Sequence, residues 1–174
     1  MSPIELFMCW ADSDPYYQEY FPDCSLQISP QHVPFSWNIR KFPVQPRQIL
    51  LDSGAFSLIN RPGKNLNPKD VFMQQLKIAE GTSCSVILCH LDFPIPPEST
   101  DTLEIYRRLE KTVTNAHQFM ELFRAARLPS NYKSLGVIQG NSFDTISFCA
   151  QELLRVGFDQ LGIGSLAALY DTKS

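Results

Sequence analysis

A chain of 174 residues, 44% hydrophobic and 19% charged, suffices for one domain that buries roughly 70% of its unfolded surface. A formal net charge of -3 gives no general attraction for nucleic acid, so contact with a polyanion would need a local basic patch. No run of about 18 apolar residues occurs, so no membrane span is predicted, and the short apolar stretch from Leu6 to Trp10 follows Glu5 and does not read as a signal peptide.

Residues 1–47 hold more than half of the 13 prolines, together with Trp10, Trp37, Tyr16, Tyr17, Tyr20 and Phe21. Disordered segments lack such aromatics, so this part is expected to be an ordered lead-in packed on the domain, with few regular helices. From Ile49 the chain alternates. Ile49-Leu50-Leu51-Asp52 reads as a strand, 49–52, ending in a carboxylate at a Ser53-Gly54 turn. A helix is predicted near 68–80, capped by Asn67, opened by Pro68 and closed by Gly81, with Phe72, Leu76 and Ala79 on its apolar face. The second strand is 85–91, leading to Asp92. A long helix near 101–127 follows, with Asp101 and Glu104 at capping-box spacing. Its apolar stripe is read as Tyr106, Leu109, Val113, Ala116, Met120 and Phe123. Strand 135–139 ends at Gln139-Gly140. A helix near 142–156 is expected to pack Phe143, Ile146, Ala150 and Leu153, and Gly157 stops it. The last strand, about 159–163, runs into Gly164-Ser165-Leu166.

The fold class is therefore α/β, with parallel (β/α) alternation. Either a doubly wound sheet or a piece of a (β/α)8 barrel fits. A whole barrel takes about 250 residues, so the barrel reading is of its N-terminal part, over residues 48–174. In that reading the four strands are neighbours in chain order, with helices outside. An order of 2-1-3-4 would indicate the doubly wound alternative.

The strand tips carry the candidate chemistry. Alternation puts Asp92 and His90 on the barrel-mouth side and turns Cys89 and Leu91 to the helices. Gln139 shares a face with Val137 and Leu135. On the last strand Gly162 and Gly164 share one face and leave room for a flat heterocycle. A carboxylate accepts from N–H groups, while an amide and a backbone N–H donate to a carbonyl oxygen, a set suited to a purine-like base edge. Each feature also has a plainer explanation. Aspartate before Ser-Gly is a common turn former. His90 suits a core position. Arg107, Arg108 and Lys111 suit a solvated helix face as well as phosphate contact. The Gly162-Ile163-Gly164 run lacks the lysine of a Walker motif. The histidines His32, His90 and His117 have no ligand spacing with the five cysteines, so no zinc site is expected within the chain. The cysteines form no C-x-x-C pair, and their odd number in apolar settings points to reduced thiols and a cytoplasmic location.

The ordered set Asp52-Ser53-Gly54-Ala55-Phe56, Leu91-Asp92, Gly136-Val137-Ile138-Gln139-Gly140 and Gly162-Ile163-Gly164-Ser165-Leu166 resembles the tRNA-guanine transglycosylase superfamily, including its DNA-acting 7-deazaguanine branch. The resemblance covers about residues 48–169. It departs at Ala55 and Ser57, where the family commonly has glycine and glutamine, and at Ser165, where it commonly has a second glycine. It implies a (β/α)8 barrel that exchanges guanine in DNA or tRNA for a 7-deazaguanine through a covalent sugar intermediate. Asp52 would be the general acid/base. Asp92, with Ser53 and Gly54 beside the site, would bind the base edge. Gln139, next to Gly140, and the amide of Ser165, next to Gly164, would donate to the base carbonyl, and Leu166 would add a backbone contact. The family's nucleophilic aspartate and cysteine-rich zinc site lie in its later half and have no counterpart in these residues. The chain is thus expected to hold the base-binding half of a site, with no cofactor of its own and with the rest supplied in cis or by a second polypeptide as a partner. Two alternatives remain. One is a non-catalytic transglycosylase-like subunit that binds a partner or nucleic acid. The other follows from Leu50-Leu51-Asp52-Ser53-Gly54-Ala55, which also resembles the active-site turn of retroviral-type aspartic proteases.

Overall fold

A computed structural model describes residues 6–10, 24–34, 36–42, 45–56 and 66–164. Six parallel strands lie side by side in chain order: β1 (Phe7–Trp10), β2 (Ser25–Ile28), β3 (Gln48–Leu51), β4 (Ser85–Cys89), β5 (Tyr132–Ile138) and β6 (Gln160–Ile163). Three helices alternate with the last four: α1 (Pro68–Ala79), α2 (Thr102–Ala125) and α3 (Phe143–Val156). Each new strand is added on the same side of the one before it. Crossovers of one hand then stack every helix on one face, and the sheet curls into a half-barrel. This is the chain-ordered arrangement, not the 2-1-3-4 order of a doubly wound sheet. It is also not the β-rich fold that the aspartic-protease alternative requires.

The lead-in is more than packing. No strand was assigned before Ile49, yet β1 and β2 are the first two strands of the sheet, in register Phe7 with Ser25 and Leu26 with Ile49. At four residues each they are too short for a clear periodic signal, and the prolines around them obscure the pattern.

The core lies between sheet and helices. Alternate strand residues Leu26, Ile28, Ile49, Leu51, Val86 and Leu88 pack against Phe72 and Ile78 of α1, Leu109, Ala116 and Phe119 of α2, and Cys149 and Leu153 of α3. Phe72 and Phe119 meet edge-on with ring centroids 5.5 Å apart, joining α1 to α2. The α2 stripe is rotated from expectation. Ile105, Leu109, Thr112, Ala116, Phe119 and Met120 face inward, while Tyr106 is half exposed. On α3 the expected core residue Phe143 is 83% exposed, and Thr145, Cys149, Leu153 and Val156 form the buried face. In both helices a buried threonine occupies a place that a hydrophobicity pattern gives to a larger apolar neighbour. No described helix is long and apolar enough to cross a membrane.

The helix starts follow their capping residues. Asn67 accepts from the Lys69 amide, and Asp101 accepts from the amides of Leu103 and Glu104. Ser142 and Thr145 form a reciprocal capping box at α3. Ser142→Ala removes the acceptor for the Thr145 amide and is expected to lower stability by about 1 kcal/mol. Urea unfolding at pH 7 measures this, and an unchanged midpoint would assign the cap no stabilising role.

Candidate functional site

The C-terminal ends of β3, β4, β5 and β6 lie side by side, and the ladder runs one residue past β3, β4 and β6. The Asp52 amide donates to Ile28 O at 3.0 Å, the His90 amide to Leu135 O at 3.3 Å, and the Gly164 amide to Ile138 O at 2.9 Å. The turn after β3 reverses at Gly54, whose φ of +74° is left-handed. A Cβ there would also lie 2.5 Å from Cγ of Gln31.

Asp92 is the centre of the site. It is 5% exposed, and both its oxygens are held: the Ser53 hydroxyl donates to Oδ1 at 2.9 Å, and Gln139 Nε2 donates to Oδ2. Ser53 Oγ in turn accepts from the Ala55 amide at 3.2 Å, and Gln139 Oε1 accepts from the Ile95 amide at 3.2 Å. A chain of polar contacts therefore links the first, second and third sequence motifs. Gly164 belongs to it through its lack of a side chain. A Cβ there would sit 2.2 Å from Gln139 Nε2 and 2.9 Å from Val137 Cγ1, so a side chain there would displace the amide that Gln139 gives to Asp92. Gly162 likewise faces Leu135, so Gly162 and Gly164 lie on the face shared by Leu135, Val137 and Gln139.

Asp52 is partly exposed beside this cluster. Burial pushes its carboxyl above the usual range, against the lowering effect of the Ser53 and Gly54 amides. Burial is also the main reason that the Asp92 carboxyl is pushed up to about 6; the Asp52 charge adds to it, and the bonds from Ser53 and Gln139 oppose it. Two neighbouring carboxylates held above their normal range are suited to proton transfer near neutral pH.

Other expected residues are placed differently. Gly140 packs under the start of α3, where a Cβ would meet the Ile146 amide nitrogen at 2.7 Å. Ser165 and Leu166 lie outside the described residues. His90 is on the helix side, not in the mouth. Its ring is 5.3 Å from Phe158, which stacks on Phe119 of α2. Its Nδ1 accepts the Val137 amide at 3.2 Å, in the place its own carbonyl would hold in a continuing parallel ladder. Cys89, expected against the helices, is buried next to the carboxylates; burial, then the Asp52 and Asp92 charges, hold its thiol well above its usual value. Leu91 does pack toward α1, with Ala55 and Val71. Arg107 and Arg108 both pair with Glu104, and Lys111 lies 5.1 Å over the Phe93 ring. Among the described residues no group of three or more His, Cys, Asp or Glu side chains could hold a metal.

Among the buried polar residues that the sequence analysis does not single out, Gln75, Thr112 and Asn115 bear on the site. All three sit on helix faces that point at the sheet. The Asn115 amide donates to Leu91 O at 3.0 Å, and Thr112 Oγ1 accepts from the Phe93 amide at 2.9 Å, so α2 grips the chain on both sides of Asp92. Gln75 was detectable, because it falls three and four residues from Phe72, Val71, Ile78 and Ala79 on the buried face of α1.

Asp92 and His90 oppose each other in acid. Burial lowers the His90 pKa to about 4 from 6.5, so the unfolded chain binds the extra proton between those values and stability falls as pH drops through them. Asp92 is raised from 3.8 to about 6, so the folded chain binds the extra proton and stability falls as pH rises through that window. Each shift corresponds to about 3 kcal/mol, and the two slopes nearly cancel. Asp92→Asn removes one of them. Its stability at pH 7 relative to pH 4 is expected to exceed the native difference by about 2 kcal/mol. Urea unfolding of both proteins at the two pH values checks this; equal differences would mean that Asp92 titrates normally.

No protein-family model matches this chain, and no curated protein is detectably similar to it in sequence.

Proposed function

We propose that the concave ends of β3–β6 bind a guanine-type base, and that the site takes part in exchanging guanine in DNA or tRNA for a 7-deazaguanine. The observation that carries this reading is the Ser53–Asp92–Gln139 cluster at the strand tips, with Asp52 beside it and Gly164 giving Gln139 its place. A buried carboxylate next to an amide matches the N–H and C=O groups along one edge of guanine. Each Asp92 oxygen has a second lone pair with which to accept from the base.

In base exchange a carboxylate attacks C1′ of the sugar, and guanine departs with the electron pair of the C1′–N bond. The departing base needs a proton, and the incoming base must lose one. Asp52, raised by burial, supplies the first in its acid form and takes the second in its base form. The attacking carboxylate belongs to the half of the barrel that the resemblance places beyond these strands. It would come from a continuation of the same chain or from a second polypeptide.

The closure of Asp92 favours a second reading. With Ser53 and Gln139 already on its two oxygens, the cluster also serves to tie strand ends together in a non-catalytic subunit. Calorimetric titration with guanine and with a 7-deazaguanine separates the two. Saturable binding of either base supports the exchange reading. Absence of binding at millimolar base leaves the subunit reading.

A further inference from the structure

We infer that Gln75 is a positioning residue for the two-carboxylate site, its side-chain amide fixing the strand ends that carry Asp52 and Asp92. Gln75 lies on α1, the crossover helix between β3 and β4, and is fully buried. Its Nε2 is 3.0 Å from Leu51 O, 3.1 Å from Asp52 O and 2.9 Å from Cys89 O. These three carbonyls belong to the last residues of β3 and β4 and to Asp52 itself, where the ladder between the two strands stops at Leu51 and Leu88. Two amide hydrogens serve three acceptors, so at least one is shared. The other end of the side chain is left unmatched, since Gln75 Oε1 is buried with no partner.

The geometry gives the clamp a specific consequence. Holding the Asp52 carbonyl fixes the peptide from which the Asp52 side chain projects. Holding the Cys89 carbonyl fixes the strand end three residues before Asp92, and Asn115 continues the grip at Leu91. The distance between the two carboxylates is thereby set from the helix layer, by a residue that touches neither of them. That distance governs how strongly the Asp52 charge acts on Asp92. The inference rests on Asp52 and Asp92 acting as a pair and is independent of which reaction they serve.

The test reads the carboxylates directly and needs no base or nucleic acid. Carbon-13 carboxyl shifts of Asp52 and Asp92 are followed against pH in the native chain, in Gln75→Met, and in Met120→Ala, a core variant remote from the strand tips that controls for general loosening. The other groups that feel these carboxylates are Cys89, Cys149 and His32, and all three are retained in every variant. In Gln75→Met the Asp92 midpoint is expected to move by half a unit or more, roughly a threefold change in proton affinity, while Met120→Ala leaves it in place. A folded Gln75→Met with native midpoints, or an equal shift in Met120→Ala, would overturn the inference. If Gln75→Met does not fold, the native protein decides. Couplings across the hydrogen bonds from Gln75 Nε2 to the carbonyl carbons of Leu51, Asp52 and Cys89 should be measurable, and their absence would overturn it equally.

Discussion

Asp52→Ala is expected to lower base exchange by about 10²–10⁴-fold, the usual contribution of a positioned general acid/base. The measurement is incorporation of a labelled 7-deazaguanine into DNA and into tRNA, with the remaining barrel strands present in cis or as a partner. The effect should fall on turnover more than on base affinity, because Asp52 lies beside the Ser53–Asp92–Gln139 cluster and makes none of its hydrogen bonds. A second readout ties the result to this geometry. The Asp52 charge is one cause of the raised Asp92 pKa, so Asp52→Ala should bring the Asp92 midpoint down from about 6. Exchange that survives Asp52→Ala at native rate would remove the acid/base role. Robust exchange by the chain alone would instead place the nucleophile within it, with Asp52 or Asp92 the first candidates. Loss of turnover with an unmoved Asp92 midpoint would separate the two carboxylates electrostatically.

The strands from β3 onward and the three helices were legible because each carries its own punctuation. Asn67-Pro68, Asp101 and Ser142 open the helices, Gly157 closes the last, and apolar runs mark the strands between them. Chain order followed from the alternation and from the handedness of crossovers. β1 and β2 were not legible, since four residues among prolines carry too little periodicity. The site was legible as a set of strand tips, but its wiring was not. Ser53 donating to Asp92 joins residues 39 apart in sequence, and Gln139 reaching Asp92 spans 47. No local pattern encodes such a pair. His90 shows the limit of alternation. The strand rule holds while the ladder continues, and at His90 the ladder ends because an imidazole takes the place of a carbonyl. The rotated stripes of α2 and α3 have one cause. Thr112 and Thr145 are buried for their hydrogen bonds, to the Phe93 amide and within the α3 cap, and hydrophobicity alone assigns them outward.

Asp92→Asn should weaken binding of guanine or a 7-deazaguanine by roughly 5- to 150-fold, the result of about 1–3 kcal/mol for a buried mismatch. The structure says how the mismatch arises. The carboxylate accepts on both oxygens, from Ser53 and from Gln139. An asparagine can keep the bond from Ser53, but its amide then faces the Gln139 amide, donor against donor. Turning the Gln139 side chain over would relieve that clash and break the bond from the Ile95 amide to Oε1. The variant therefore loses an acceptor for the base and disturbs the group meant to donate to its carbonyl. Gly164 limits any other escape, because Gln139 lies against the backbone of β6 with no side chain between them. Affinity should also depend on pH in a way that identifies the group. In the native chain it should fall as the pH drops below about 6, where Asp92 takes up a proton. In Asp92→Asn that dependence should disappear. Calorimetry at pH 5 and pH 7.5 on both proteins gives the answer. Equal native and variant affinities at pH 7.5 would exclude Asp92 from base recognition, and a fall below pH 6 that persists in the variant would assign the titration to another group.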